Sequence, residues 1–315
     1  MIQNKKNFDL IMVAAQMESG GNVFHRHLDG HPNIFCFPFE SQTGNRYSQN
    51  IMIPYFYPIR YGWPQFREGT TFEQAWSEIW NEEVKCYLRV RERSKFRNCG
   101  MVMDEKKLFA AYLDYCKGKL FSRRNVVKAF FYAHMIAWEN YNFTGEVFHI
   151  CGYNPGMLGD TDLFFKDFPE AHIIYVIRNV ASAYGDYLNR PYPQQSLEEY
   201  SQTYAVGHAM AYNYSIKYPN NFHLLKFENF IKDKKTTLFP ILTKIGIDWN
   251  DSFLYPSFNG KDLSEKIAPW GTLEKCTPEY NKSMAMRHSQ KTLNRLYNEC
   301  ALTIEKFNYK EFFIK

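Results

Sequence analysis

Leu10-Ile11-Met12-Val13-Ala14, followed by Met17-Glu18-Ser19-Gly20-Gly21-Asn22-Val23-Phe24-His25-Arg26-His27-Leu28-Asp29-Gly30-His31-Pro32, is the stretch on which the fold turns. It reads as a short buried strand, a Ser-Gly-Gly turn and a helix stopped by Gly-His-Pro. At such a turn successive backbone N–H groups face one concavity, and the helix N-terminus adds about half a positive charge. Glycine lets the backbone approach an anion closely. Glu18 is out of place in this scheme, because it puts a carboxylate where an anion-binding turn usually carries a cation.

Three further segments share the apolar, β-rich character of a strand buried on both faces: Val147–Cys151, His172–Ile177 and His223–Phe227. Helical spacing separates them. It links Phe72, Trp76, Ile79, Trp80, Val84 and Leu88, and it runs through Val180–Leu188, Leu197–Ile216 and Thr236–Ile245. Strands alternating with helices predict an α/β, doubly wound parallel sheet flanked by helices. Ligands of such sheets bind beyond the carboxyl ends of the strands. With no linker, repeat or low-complexity segment, residues 1–315 read as one domain. An irregular Tyr-, Pro- and Arg-rich insertion at 41–70 is the candidate substrate loop or lid.

Composition narrows the function. A net charge of +5 suits an anionic ligand but is too small to argue for nucleic acid. Seven cysteines, odd in number and without CxxC spacing, favour a reducing compartment and give no metal signature. The apolar run near the N-terminus is too short for a membrane span, so the expected setting is cytoplasmic, with no integral membrane segment. G-x-x-x-x-G-K-[ST] is missing from the first turn, which disfavours a magnesium-dependent kinase or ATPase. Arg89, Arg91, Arg93, Lys95 and Arg97 alternate, yet the helical pattern before them favours a solvated surface over a glycan-gripping face.

A second motif raises the specificity of the first. Phe168-Pro169-Glu170-Ala171-His172-Ile173-Ile174-Tyr175-Val176-Ile177-Arg178-Asn179 is a strand with an arginine at its carboxyl tip, where a planar guanidinium can grip phosphate. Here the chain resembles the sulfotransferases that use 3′-phosphoadenosine 5′-phosphosulfate (PAPS). Their P-[KR]-S-G-T-T turn and L-D-x-H-P helix end resemble Met17–Phe24 and Leu28–Pro32, and their second strand resembles Phe168–Asn179. Lys226-Phe227-Glu228-Asn229-Phe230, Ile245-Gly246-Ile247-Asp248-Trp249 and Cys300–Tyr309 follow in family order. The likeness spans roughly residues 8 to 310 and is nearest the bacterial carbohydrate or tyrosyl-protein type.

The resemblance implies roles. Ser19, Gly20, Gly21, Asn22 and Val23 would hold the 5′-phosphosulfate, and Arg178 would contact the 3′-phosphate. Glu40, in Phe37-Pro38-Phe39-Glu40, would be the general base on an acceptor hydroxyl, which must lose its proton as it meets sulfur. The acceptor is expected to be a small molecule or glycan, and the transfer needs no metal. Three departures stand against full activity. Glu18 replaces the donor-loop Lys or Arg, the K-x-P lysine is missing from Gly152-Tyr153-Asn154-Pro155, and Asp186 stands where a serine is expected. Ser182 could replace that serine only in a shifted helix. His25, Arg26, His27 or Lys261 could supply the missing cation, with His25 the catalytic candidate. A catalytically degenerate nucleotide- or glycan-binding protein of the same fold is the alternative.

Overall fold

In the computed structural model, residues 6–41, 43–48, 62–79, 99–143, 145–190, 195–263 and 276–313 are described. The strands are β1 (Asp9–Ala15), β2 (Ile34–Glu40), β3 (His149–Tyr153), β4 (His172–Ile177) and β5 (Phe222–Lys226). They form one sheet in the order β2-β3-β1-β4-β5, with every neighbouring pair parallel. Strand alternation divides the core in two. Leu10, Met12 and Ala14 point to one side of the sheet, whereas Ile11, Val13 and Ala15 point to the other.

Helices cover both faces. On the side of Ile11 and Val13 lie α1 (Gly21–Leu28), α8 (Phe227–Lys232) and α9 (Lys234–Ile245), which bury Phe24, Phe230 and Leu238. On the other side lie α2 (Phe72–Ile79), α3 (Glu105–Cys116), α4 (Arg123–Ala137), α5 (Thr161–Asp167), α6 (Val180–Tyr187) and α7 (Leu197–Lys217). The C-terminal helices α10 (Pro278–Met286), α11 (Gln290–Glu299) and α12 (Ala301–Lys306) extend that layer. After β1 the chain moves toward β2, and after β4 it moves toward β5. The strand order therefore reverses between β1 and β4, where a doubly wound sheet opens its ligand crevice.

The expected strand at His172–Ile177 has those bounds in the structure. Val147–Cys151 is displaced toward the C-terminus, and His223–Phe227 begins and ends one residue earlier because Phe227 opens α8. The strand β2 corrects the sequence reading, which left Phe37–Glu40 outside the sheet. Pro38 argues against a central strand, but β2 lies at the sheet edge and its register with β3 shifts between Cys36 and Glu40. A proline there breaks no ladder on the open side. Trp80, Val84, Leu88, the alternating basic series from Arg89 to Arg97 and residues 42 and 49–61 of the expected insertion lie outside the described residues. No helix among the described residues is long and apolar enough to cross a membrane.

Buried histidines make this fold sensitive to acid. His27, His134 and His208 are buried, and each uses Nδ1 on a backbone carbonyl, of Phe253, Phe130 and Tyr204 respectively. Burial lowers them from 6.5 to about 3, about 4 and about 3. The unfolded chain therefore binds more protons below pH 6.5, and stability falls from there toward pH 3–4. At pH 5 the loss is about 2 kcal/mol for each histidine. Urea midpoints should drop steeply between pH 7 and pH 5; equal midpoints at the two values would contradict this account.

Candidate functional site

β1 ends at Ala15, and the chain turns through a loop with two left-handed residues, Glu18 (φ 58) and Gly20 (φ 88). The Ser19 N–H donates to the Gln16 carbonyl at 3.0 Å. Gly20 is the N-cap of α1 and supplies no side-chain cap, so the first-turn N–H groups of Gly21, Asn22 and Val23 have no capping side chain. A side chain at Gly20 is excluded twice over, by its φ and by the Phe227 ring, which would lie within 2.4 Å of a Cβ. Ser19 is fully buried, and its Oγ has no hydrogen-bond partner. A buried hydroxyl left unpaired costs about 1–3 kcal/mol, so the orphan in a loop that leads into uncapped N–H groups suits an anionic ligand.

Arg178 follows the last residue of β4 and reaches across the β1–β4 crevice. Its Nη1 donates to the Glu18 carbonyl at 2.8 Å and pairs with Asp186 Oδ2 at 2.7 Å. Its Nε donates to Asn281 Oδ1 at 2.7 Å, and the guanidinium lies 4.9 Å from the centre of the Phe227 ring. Burial works against its charge, but Asp186, with Glu228 behind it, holds it above its ordinary value. Asp186, which stands where the resemblance expects a serine, is thus the partner that keeps Arg178 in place. Ser182 is buried in the first turn of α6, where its Oγ donates to the Asn281 carbonyl at 2.5 Å.

Glu228 fastens this side of the crevice. It accepts from the Asn179 N–H at 2.9 Å, Asn179 Nδ2 at 2.8 Å and Tyr309 Oη at 3.0 Å, with Asn281 Nδ2 at 3.3 Å. Asn179 in turn caps α6 by accepting from the Ser182 N–H. The Lys226–Phe230 motif and the closing Cys300–Tyr309 segment meet here, on the residue beside Arg178.

Glu18 holds a residue that sequence reading missed. Its Oε1 accepts from Arg190 Nε at 2.6 Å and lies 2.5 Å from Arg190 Nη2. No motif marks Arg190; the only sequence signal was the misplaced carboxylate at position 18. Glu40 ends β2 opposite Tyr153 in the register of the sheet. The buried Tyr153 phenol is raised well above its ordinary value by desolvation, then by Glu40 and Glu18, with Arg190 opposing. The fields of Glu18, Glu40 and Arg190 therefore converge on one side chain at the carboxyl edge of the sheet.

The other candidate cations lie elsewhere. His25 is 1% exposed, stacks on Tyr153 and has Nε2 3.3 Å from the Cys151 carbonyl oxygen and 3.2 Å from Cys36 Sγ. Its ring offers no surface to an acceptor. Arg26 is buried and donates to the Phe37 carbonyl, and His27 is turned to Phe253. Lys261 is exposed on the hairpin of β6 (Ser257–Phe258) and β7 (Lys261–Asp262). That hairpin docks beyond the C-terminal end of α1, where the Gly260 N–H donates to Asp29 Oδ2 at 2.9 Å. The length of α1, about 12 Å, separates it from the loop.

Among the described residues, His25, Cys36 and Cys151 bring their ligand atoms within 4.8 Å of one another and could hold a metal ion. They come from α1, β2 and β3, so no spacing motif announces them. Arg26 Nη2 lies 3.4 Å from Cys36 Sγ, and this fixed cation opposes a second one.

Fold and site together define a doubly wound α/β protein with an anion-cradle geometry at its topological switch point. Solved structures share that architecture. The sulfotransferase domain from the Synechococcus PCC 7002 olefin synthase superposes with a TM-score of 0.55 at 12% identity, over 98% of each chain. The sulfotransferase domain from the curacin biosynthetic pathway gives a TM-score of 0.51 at 10% identity, over 94% of this chain and 98% of that one. No curated protein matches the sequence. The model of the sulfotransferase family matches residues 11–251, and the chain belongs to that family.

Because Glu228 accepts from Asn179, Asn281 and Tyr309 together, Glu228→Ala should cost at least about 3 kcal/mol by leaving buried donors unpaired. Urea unfolding measures this, and a loss below about 1 kcal/mol would remove Glu228 as the fastening point.

Proposed function

We propose that this sulfotransferase moves a sulfuryl group from PAPS to a hydroxyl of a carbohydrate or glycolipid. One observation carries the reading: a buried, partnerless Ser19 Oγ and the uncapped first turn of α1 share a loop whose Glu18 carbonyl accepts from Arg178. Ser19, Gly20, Gly21, Asn22 and Val23 would cradle the 5′-phosphosulfate. Arg178 would take the 3′-phosphate, oriented by Asp186, with Ser182 next to it on α6. The acceptor class follows the resemblance carried by Leu28–Pro32. The described cysteines are free thiols, which supports a reducing, cytoplasmic setting.

Glu40 is the proposed base. It stands half-buried at the carboxyl edge of the sheet, on the strand next but one to the donor loop. From there it would accept the acceptor's proton as that oxygen attacks sulfur in line. Positioning and fixed charges then supply most of the rate. The second reading, a binder that has lost catalysis, is favoured by the carboxylate of Glu18 at the loop.

Millimolar adenosine 3′,5′-bisphosphate should raise the melting temperature by several degrees. Labelled sulfate should pass from PAPS to members of a glycan panel, and Glu40→Gln should slow it about 10²–10⁴-fold without weakening bisphosphate binding. Binding with no transfer to any acceptor, and no effect of Glu40→Gln, would select the binder instead.

A further inference from the structure

Glu18 holds two arginines at once. Its carbonyl oxygen accepts from Arg178, and its carboxylate accepts from Arg190. Its left-handed φ of 58 is a conformation that a side-chain-bearing residue keeps only when its surroundings over-determine it. The surroundings do so here. Tyr200 Oη donates to the Met17 carbonyl at 2.9 Å, and Arg190 Nη1 lies 3.8 Å from Met17 Sδ. The Arg190 guanidinium is also 5.7 Å from the centre of the Tyr187 ring. Both sides of the Arg190–Glu18 pair remain partly open, at 31% and 26% exposure.

The ion pair leaves Arg190 with capacity to spare. Nε and Nη2 both approach the same oxygen, Glu18 Oε1. A guanidinium has more N–H donors than one carboxylate oxygen uses, and its planar fork suits phosphate and sulfate oxygens. Arg190 therefore stands at the loop position where the sequence lacks a basic residue, brought there by the residue that replaced it.

Resting on the PAPS reading, we propose that Arg190 is the donor-site cation of this enzyme and that Glu18 is its positioning residue. In the transfer, the acceptor oxygen forms a bond to sulfur and gives its proton to Glu40. The bond between sulfur and the bridging oxygen breaks, and its electron pair stays on that oxygen, which becomes part of the 5′-phosphate of adenosine 3′,5′-bisphosphate. Arg190 stabilises the charge growing on that oxygen. Glu18 fixes the guanidinium beforehand, so that no reorganisation is needed as charge develops. Its own negative charge weakens ground-state attraction for the nucleotide.

The test uses the full chain with two readouts, affinity for adenosine 3′,5′-bisphosphate and the rate of sulfuryl transfer from PAPS, with each variant's melting temperature as the folding control. Arg190→Ala should lower kcat about 10²-fold or more. Glu18→Gln should tighten bisphosphate binding while lowering kcat about 10-fold, a split that a purely structural ion pair would not produce. The decisive variant is Glu18→Lys combined with Arg190→Ala, which returns the cation to the loop. It should recover at least about 10-fold of the rate lost in Arg190→Ala. If Arg190→Ala transfers within about twofold of wild type, or the double variant is no faster than Arg190→Ala, Arg190 is not the donor-site cation. If the wild-type chain binds no bisphosphate, the nucleotide reading falls and takes this assignment with it.

Discussion

The buried guanidinium of Arg178 is the constraint on which the rest of the site depends. A cation taken out of water survives only with close, well-directed partners. Arg178 finds them on three separate parts of the chain: the Glu18 carbonyl in the β1 loop, Asp186 on α6 and Asn281 on α10. Satisfying one charge thereby fixes the width of the crevice between β1 and β4. It also sets the loop's carbonyl direction, and with it the orientation of the N–H groups that follow.

Around this centre the site is neutralised pair by pair. Arg178 is matched by Asp186, and Arg190 by Glu18. An unliganded site with two unmatched guanidinium groups would pull the loop toward whichever carboxylate came near. Here each group has an assigned partner, and the geometry is set before any ligand arrives. The same pairing reduces the attraction for an incoming polyanion, so binding strength is exchanged for order.

The sheet was largely legible in the sequence because buried parallel strands leave continuous apolar runs, as at His172–Ile177 and Leu10–Ala14. The edge strand β2 was not, since Pro38 and the irregular register near Glu40 remove the signals that mark a strand. The places of Ser19–Val23 and Arg178 in the fold were legible because they depend on local sequence: glycines at a turn, and an arginine just past a strand tip. The roles of Asp186 and Arg190 were not, because each is defined by a partner that only the tertiary fold supplies. Asp186 read only as a departure from an expected serine, whereas in the fold it is a charge facing an arginine. The thiols of Cys36 and Cys151 were hidden for the same reason, being neighbours only across β2 and β3.

The far end of α1 has its own consequence for the loop. Asp29 accepts from Ser257 Oγ at 2.6 Å and from the Gly260 N–H, and His27 and His31 reach the carbonyls of Phe253 and Asp248. All four contacts grip the segment between Asp248 and Gly260. The helix is therefore anchored at the end opposite its N-terminal turn, which opposes a slide along its axis. Docking of that segment and occupancy of the cradle become linked equilibria: a ligand that tightens one must tighten the other by the same free energy. A hairpin docked beyond the far end of α1 would in this sense take part in the affinity of whatever the loop binds.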